Sequence, residues 1–158
     1  MNRYSSLLIA GVAVGADRVL KWWAGQTLAL SESRPLLGHF IRLTRVHNVG
    51  GALGIFPGGG ELFIAVSIAV SVTVIVILLR DRTRSAVMKV GLALLLAGAV
   101  GNLIDRLAYG YVLDFLEFRG LFVNNLADVC VSVGTVLVII HTIFGGGNDR
   151  TEAKTDRL

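Results

Sequence analysis

Two aspartates sit where an apolar sequence has least use for them. Asp114 is flanked by Val112, Leu113, Phe115 and Leu116, and Asp128 stands near the start of a long apolar run. Two carboxylates brought to about 3 Å cannot both ionise readily, so they share a proton. One can then take a proton from water while the other donates to a carbonyl, which is the chemistry of an aspartic hydrolase. Their spacing fits many arrangements and does not establish the pair. Asn125 and Asp128 also read as the N-cap and N3 residues of a capping box.

Other polar residues fall at the same ends of apolar runs. Asp17 and Lys21 are at i, i+4 and share a helix face. They form an intrahelical ion pair or orient other groups. Asn102, Asp105 and Arg106 share a face by the same spacing rule. Arg106 near a helix C-terminus is favoured by the helix dipole, and it can also hold a carboxylate, a phosphate or a backbone carbonyl. Ser132 and Thr135 follow Asp128 on one face, where hydroxyls are expected to bond back to helix carbonyls.

Competing chemistries lack their residues. There is no H-E-x-x-H and no cysteine cluster, so a zinc site is not expected. Ser85 and Lys89 lie in a basic segment and do not read as a catalytic dyad. Cys130, the single cysteine, allows no internal disulfide and reads as a small buried hydrophobe.

What must position these residues is a membrane protein. Of 158 residues, 54% are hydrophobic and 16% charged, against roughly a quarter charged in an average soluble domain. The net charge of +4 would suit nucleic acid, but Lys and Arg fall between apolar runs rather than on one soluble face, so no nucleic-acid partner is expected. Four runs are long enough to span, at about 5–23, 62–79, 87–104 and 126–144. The first could pass for a signal peptide; three further runs and the Trp22-Trp23 pair favour a retained helix. Arg3, Arg80, Arg82, Arg84, Lys89, Arg150, Lys154 and Arg157 would lie on one side, and Arg34, Arg42, Arg45 and Arg119 on the other. That bias puts both termini in the cytoplasm.

The expected architecture is one membrane-embedded domain, residues 1–145, with a disordered cytoplasmic tail over 146–158. It is an all-α, four-helix integral membrane protein with a small extracytoplasmic β element. Ser31–Pro35 reads as a turn and Phe40–Val46 as a strand, while Asn48–Gly51 and Pro57–Gly60 carry turn chemistry. Asp114 is expected in a short loop. Gly11 and Gly15 form a G-x-x-x-G pattern that permits close helix approach.

Five stretches together resemble lipoprotein signal peptidase (signal peptidase II), a family of bacterial membrane aspartyl proteases. They are Asp17-Arg18-Val19-Leu20-Lys21, Asn48-Val49-Gly50-Gly51-Ala52-Leu53-Gly54, Gly101-Asn102-Leu103-Ile104-Asp105-Arg106, Gly110-Tyr111-Val112-Leu113-Asp114-Phe115 and Asn125-Leu126-Ala127-Asp128. The resemblance implies cleavage of prolipoproteins just before a diacylglyceryl-modified cysteine, at the outer face of the bacterial cytoplasmic (inner) membrane. It implies Asp114 and Asp128 as the catalytic dyad, and Asn48, Gly50, Asn102, Arg106 and Asn125 as residues that hold substrate or inhibitor. Asp17, Lys21 and Asp105 correspond to structural support of the site. The resemblance further implies a short extracytoplasmic helix, contact with membrane lipid, globomycin-type peptide inhibitors, a monomer, and neither a metal nor an organic cofactor. Arg18 departs from a frequent Gln, and Gly51 and Leu53 from a frequent Ala and aromatic. A small four-span transporter and a non-catalytic scaffold are the alternative readings of the same layout.

Overall fold

The computed structural model describes residues 2–50, 59–80 and 85–145. Among them are four long helices: α1 (Arg3–Thr27), α2 (Gly60–Arg80), α3 (Ala86–Tyr109) and α4 (Leu126–Ile140), the last continued by a wider turn over His141–Gly145. The helix starts are written in the sequence. Asn2, Ser85 and Asn125 each accept a backbone N–H in the first turn of α1, α3 and α4. These side chains satisfy donors that a helix start leaves orphaned. Gly110 closes α3 in the left-handed region, at φ 76°, where a side chain would be strained.

Helices α2 and α3, and α4 together with its continuation to Gly145, are long and apolar enough to cross a membrane. Helix α1 has the length, at 25 residues, but carries Asp17, Arg18 and Lys21. Large apolar side chains such as Leu8, Leu62, Val72 and Val136 stand exposed on the bundle, a surface suited to lipid rather than water. Helix α3 lies at the centre and packs on the other three. Its buried Leu92, Ala93, Leu96 and Ala97 form the core with Ala10 of α1 and Val74 and Leu78 of α2.

The closest helix approach is between α3 and α4, and glycine makes it. A Cβ on Gly98 would lie 2.4 Å from the Ala127 carbonyl oxygen, and one on Gly134 would lie 2.7 Å from that of Gly91. The expectation placed close packing at Gly11 and Gly15. A Cβ at either would meet nothing within 4 Å, so that pattern is not a packing seam here. Small residues at 91, 98 and 134 are the ones that let backbones touch.

The segments joining the helices at one end pair into a four-stranded antiparallel sheet, ordered β1 (Ser33–Leu37), β2 (Ile41–Asn48), β3 (Val112–Phe118) and β4 (Phe122–Asn124). Two expectations are corrected. Ser33, Arg34 and Pro35 belong to a strand rather than a turn, and Pro35 is tolerated because β1 is an edge strand. Asp114 lies within β3 rather than in a loop, opposite Val46 of β2. Residues 112–115 are covered on both faces, so they lack the alternation that marks a half-exposed strand. The strand predicted over Phe40–Val46 runs from Ile41 to Asn48.

Two devices fasten the sheet to α1. Ala24, Leu28 and Phe115 form a second small core with Leu43, Leu113 and Leu116 beside it. Arg45 donates to the carbonyls of Gly25 at 2.9 Å and Leu28 at 3.1 Å, satisfying acceptors at the helix end. The short extracytoplasmic helix that the resemblance implies is not found among the described residues. Gly51, Leu53, the Pro57-Gly58 turn, Arg82, Arg84 and the tail over 146–158 lie outside the described residues.

Candidate active site

Asn125 is fully buried where the ends of α1, α3 and α4 meet β3. Its Oδ1 accepts the Asp128 backbone N–H at 3.0 Å, which makes it the cap of α4. Both Nδ2 hydrogens are therefore free for other partners. They go to Asp114 Oδ1 at 2.6 Å and to Asn102 Oδ1 at 3.2 Å. Asp128 closes the capping box through Oδ2, which accepts the Asn125 backbone N–H at 3.2 Å. Its Oδ1 accepts from Asn102 Nδ2 at 2.7 Å. Asn48, the last residue of β2, donates to Asp114 Oδ2 at 2.9 Å, and its own Oδ1 accepts the Gly50 N–H at 3.0 Å.

Asp114 and Asp128 thus come from a strand and a helix start, and Asn125 touches both. Each carboxylate receives two neutral N–H donors, and among the described residues neither is ion-paired. The capping-box reading of Asp128 holds, and the same Asn125 links Asp128 to Asp114. Burial pushes the Asp114 carboxyl up to about 7, and the charge of Asp128 adds to the effect. The Asn48 and Asn125 amides and the Lys21 ammonium oppose it. An acid held near 7 beside a second carboxylate can keep a proton at neutral pH.

A charged cluster stands behind this pair. Lys21, 4% exposed, reaches Asp17 at 3.0 Å, Asp105 at 2.8 Å and Asn102 Oδ1 at 3.1 Å. Arg18 joins Asp17 at 2.7 Å to Asp105, and also donates to the Gly101 carbonyl at 3.0 Å. Asp17 and Lys21 therefore form an intrahelical pair and also orient other groups. Asp17 Oδ1 accepts the Ala127 N–H at 3.0 Å, pinning the first turn of α4 to α1. Asp105 Oδ2 accepts the Leu113 N–H at 3.2 Å, pinning β3 to α3. Neither Asp17 nor Asp105 reaches the carboxylate pair.

Between α2 and α4, floored by α3, runs a cavity of about 570 Å³. Asp128, Asn102, Asn48 and Arg106 line its polar end, and Val66, Val70, Leu95 and Val131 line the apolar remainder. Arg106 lies 5.2 Å over the Phe63 ring, and its guanidinium meets the Gly50 carbonyl at 3.3 Å. Ser132 and Thr135 also line the cavity. The expectation had both hydroxyls bonded back to helix carbonyls; the structure gives neither such a bond, while Thr27 and Thr142 make theirs.

Several site residues were missed from sequence. Asn124 lines the cavity, and its buried Oδ1 has no hydrogen-bond partner among the described residues. Only its place beside Asn125 hinted at this. Arg18 appeared merely as a departure, although Asp17 and Asp105 left two buried acids for Lys21 alone to balance. Gly101 is required by contact: a Cβ there would lie 3.0 Å from Asp17 Oδ2 and 3.1 Å from the Ala127 Cβ.

The fold and the site define a helical membrane protein in which a buried carboxyl, Asp114, is tied through Asn125 to a half-buried one, Asp128, at the polar end of an apolar groove. Its relatives are consistent in kind. The sequence pattern of the signal peptidase (SPase) II family matches residues 9–144. A lipoprotein signal peptidase of Symbiobacterium thermophilum is 38% identical over 142 residues, covering 87% of this chain and 93% of that protein. One from Moorella thermoacetica is 34% identical over 146 residues, covering 92% and 97%. A solved bacterial membrane enzyme, obtained by the in meso method at 2.3 Å resolution, superposes with a TM-score of 0.84 at 31% identity, covering 91% of this chain and 90% of that one. A second, at 1.9 Å, gives 0.80 at 31% identity, covering 89% and 93%.

The chain belongs to the signal peptidase II family, and is an integral membrane protease of that kind.

Proposed function

We propose that this protein removes the signal peptide from prolipoproteins, hydrolysing the peptide bond on the N-terminal side of a diacylglyceryl-modified cysteine, with Asp114 and Asp128 as an aspartic dyad. The observation that carries this reading is the shared residue: Asn125 donates its side-chain Nδ2–H to the Asp114 carboxyl and its backbone N–H to that of Asp128, and Asp128 faces a groove that opens between membrane helices. The ionised member takes a proton from water, and the water oxygen attacks the scissile carbonyl carbon. The protonated member donates to the carbonyl oxygen. Collapse of the tetrahedral species breaks the C–N bond as a proton passes to the cysteine nitrogen. The products are a signal peptide carboxylate and a lipoprotein with a free cysteine amine.

Asn48, Gly50, Asn102, Arg106 and Asn125 surround the place where an extended substrate would lie. An unwound peptide at membrane depth must find partners for its backbone groups; Asn48, Asn102 and Arg106 line the groove where those groups would lie, while the buried Asn125 acts by holding the carboxyls. Backbone recognition suits a protease that accepts varied signal sequences. The apolar part of the groove suits lipid-embedded substrate, and the same space would take globomycin-type peptides. Four apolar runs support four spans, the Lys and Arg distribution supports cytoplasmic termini with the dyad on the outer side, and the family supports the cytoplasmic membrane. The protein would work as a monomer, since the groove and both carboxyls come from one chain.

The test is a gel-shift cleavage assay on a diacylglyceryl-modified prolipoprotein. Asp114→Asn and Asp128→Asn should each abolish cleavage while membrane insertion persists. Full activity in either variant would overturn the dyad. Substrate-dependent flux in liposomes without peptidase activity would favour a transporter instead.

A further inference from the structure

We infer that Lys21 is a positioning residue for the dyad: with Asn125 it fixes which way the Asn102 amide points, and so keeps the Asp128 proton available to substrate. The inference rests on the dyad reading above. An amide side chain has a carbonyl at one corner and an NH2 at the other, and it fills nearly the same space turned either way. An ammonium has donors only. Lys21 Nζ, at 3.1 Å from Asn102 Oδ1, therefore admits the carbonyl and rejects the NH2. The NH2 is left to face Asp128 Oδ1 at 2.7 Å.

The consequence appears when Asp128 carries a proton. An ionised Asp128 would itself hold the Asn102 NH2 in place. A protonated Asp128 is a donor, and an unconstrained Asn102 could turn its carbonyl to capture the O–H. Lys21 opposes that turn, together with Asn125, whose Nδ2 donates to the same Asn102 Oδ1 at 3.2 Å. With N–H donors from Asn102 and from the Asn125 backbone already on its two oxygens, a protonated Asp128 must direct its hydrogen elsewhere, into the groove or toward Asp114. The charged groups around this ammonium are Asp17 and Arg18 from α1, Asp105 and Arg106 from α3, Asp114 from β3 and Asp128 from α4. The cluster of Asp17, Arg18, Lys21 and Asp105 is balanced in charge, so Lys21 can be removed together with one acid without leaving net charge.

The test compares wild type, Lys21→Met, and the charge-balanced Lys21→Met, Asp105→Asn double variant. The amide introduced at position 105 retains a carbonyl for the Leu113 N–H. In the cleavage assay, both variants should lose at least about tenfold in kcat with little change in KM. Their pH profile should move upward, because a hydrogen bond made to the neutral carboxyl favours that form. Thermal stability in detergent should fall in the single variant and recover in the double. The double is the deciding variant, since the single leaves a buried acid uncompensated and its folding can fail. A double variant with wild-type kcat and an unmoved profile would sink the inference and leave Lys21 structural. A wild-type protein inactive on the lipid-modified substrate would instead overturn the dyad reading on which it rests.

Discussion

Replacing Asp114 by an asparagine should stop the chemistry and stabilise the fold above neutral pH. The carboxyl is raised from 3.8 to about 7, by burial first and by Asp128 second. A carboxyl with a raised folded pKa favours the fold most at low pH, below the unfolded value, and that contribution is lost as pH rises through the folded value. Each unit is worth about 1.4 kcal/mol. Between about pH 5 and pH 8 the wild type should therefore lose roughly 2–3 kcal/mol from this group alone. The amide that replaces the carboxyl cannot ionise. Its carbonyl can still accept from Asn125, but its NH2 would face Asn48 Nδ2, a donor against a donor. That mismatch costs about 1–2 kcal/mol at every pH. The variant should thus be about level with wild type near pH 5 and roughly 2–3 kcal/mol more stable near pH 8. Thermal unfolding in detergent across this range reads the difference directly. Parallel curves for the two proteins would refute the reasoning, because they would mean Asp114 holds no buried proton. Asp128→Asn should move the wild-type decline to lower pH, since it removes the neighbouring charge.

Two further outcomes follow from the geometry. Gly98→Ala places a Cβ 2.4 Å from the Ala127 carbonyl oxygen and 2.5 Å from Val131 Cγ2, so α3 and α4 must part. Stability should fall by about 1–3 kcal/mol, and cleavage should fall with it as Asn102 leaves Asp128; thermal unfolding and the gel-shift assay together check both. Asn124→Leu removes the unpartnered acceptor beside the groove. If that oxygen takes a substrate N–H, KM should rise about fivefold to tenfold with kcat nearly unchanged, and steady-state kinetics on the lipid-modified substrate would show an unaltered KM if it does not.

The sequence displayed the helices and the chemistry more openly than it did the sheet. Uncharged runs of spanning length can hardly form anything else in a membrane, and α2 covers its run with two residues to spare at the start. The strands were harder because β2 and β3 are far apart in the chain, and each gains a reason to be a strand only from the other. Asp114 looked like a loop residue since nothing local showed what covers it. The glycine pattern misled for a related reason. Gly11 and Gly15 have the right spacing, but packing depends on which face meets a neighbour, and a Cβ at either would meet none. Gly91 and Gly98 share the seam with Gly134, a fact that no single helix contains.

Asn125 explains why a helix cap and the two linked carboxyls coincide. A helix start needs an acceptor for its orphaned N–H, and Asn supplies it with one oxygen. Ser, Thr or Asp could cap equally well, but none leaves two hydrogens over for further acceptors. Here those two hydrogens join Asp114 to Asn102. A local requirement of α4 thereby becomes the link between β3 and α3, and the position of Asp128 is set by the same turn that caps the helix. Ionic links could not replace this. A cation placed between the two carboxyls would hold both ionised and remove the shared proton. The cations are instead one step back, with Asp17 and Asp105, where Lys21 is linked to Asp128 through the Asn102 amide. Neutral donors in contact and charges at one remove leave the pair organised while one carboxyl keeps its proton near neutral pH.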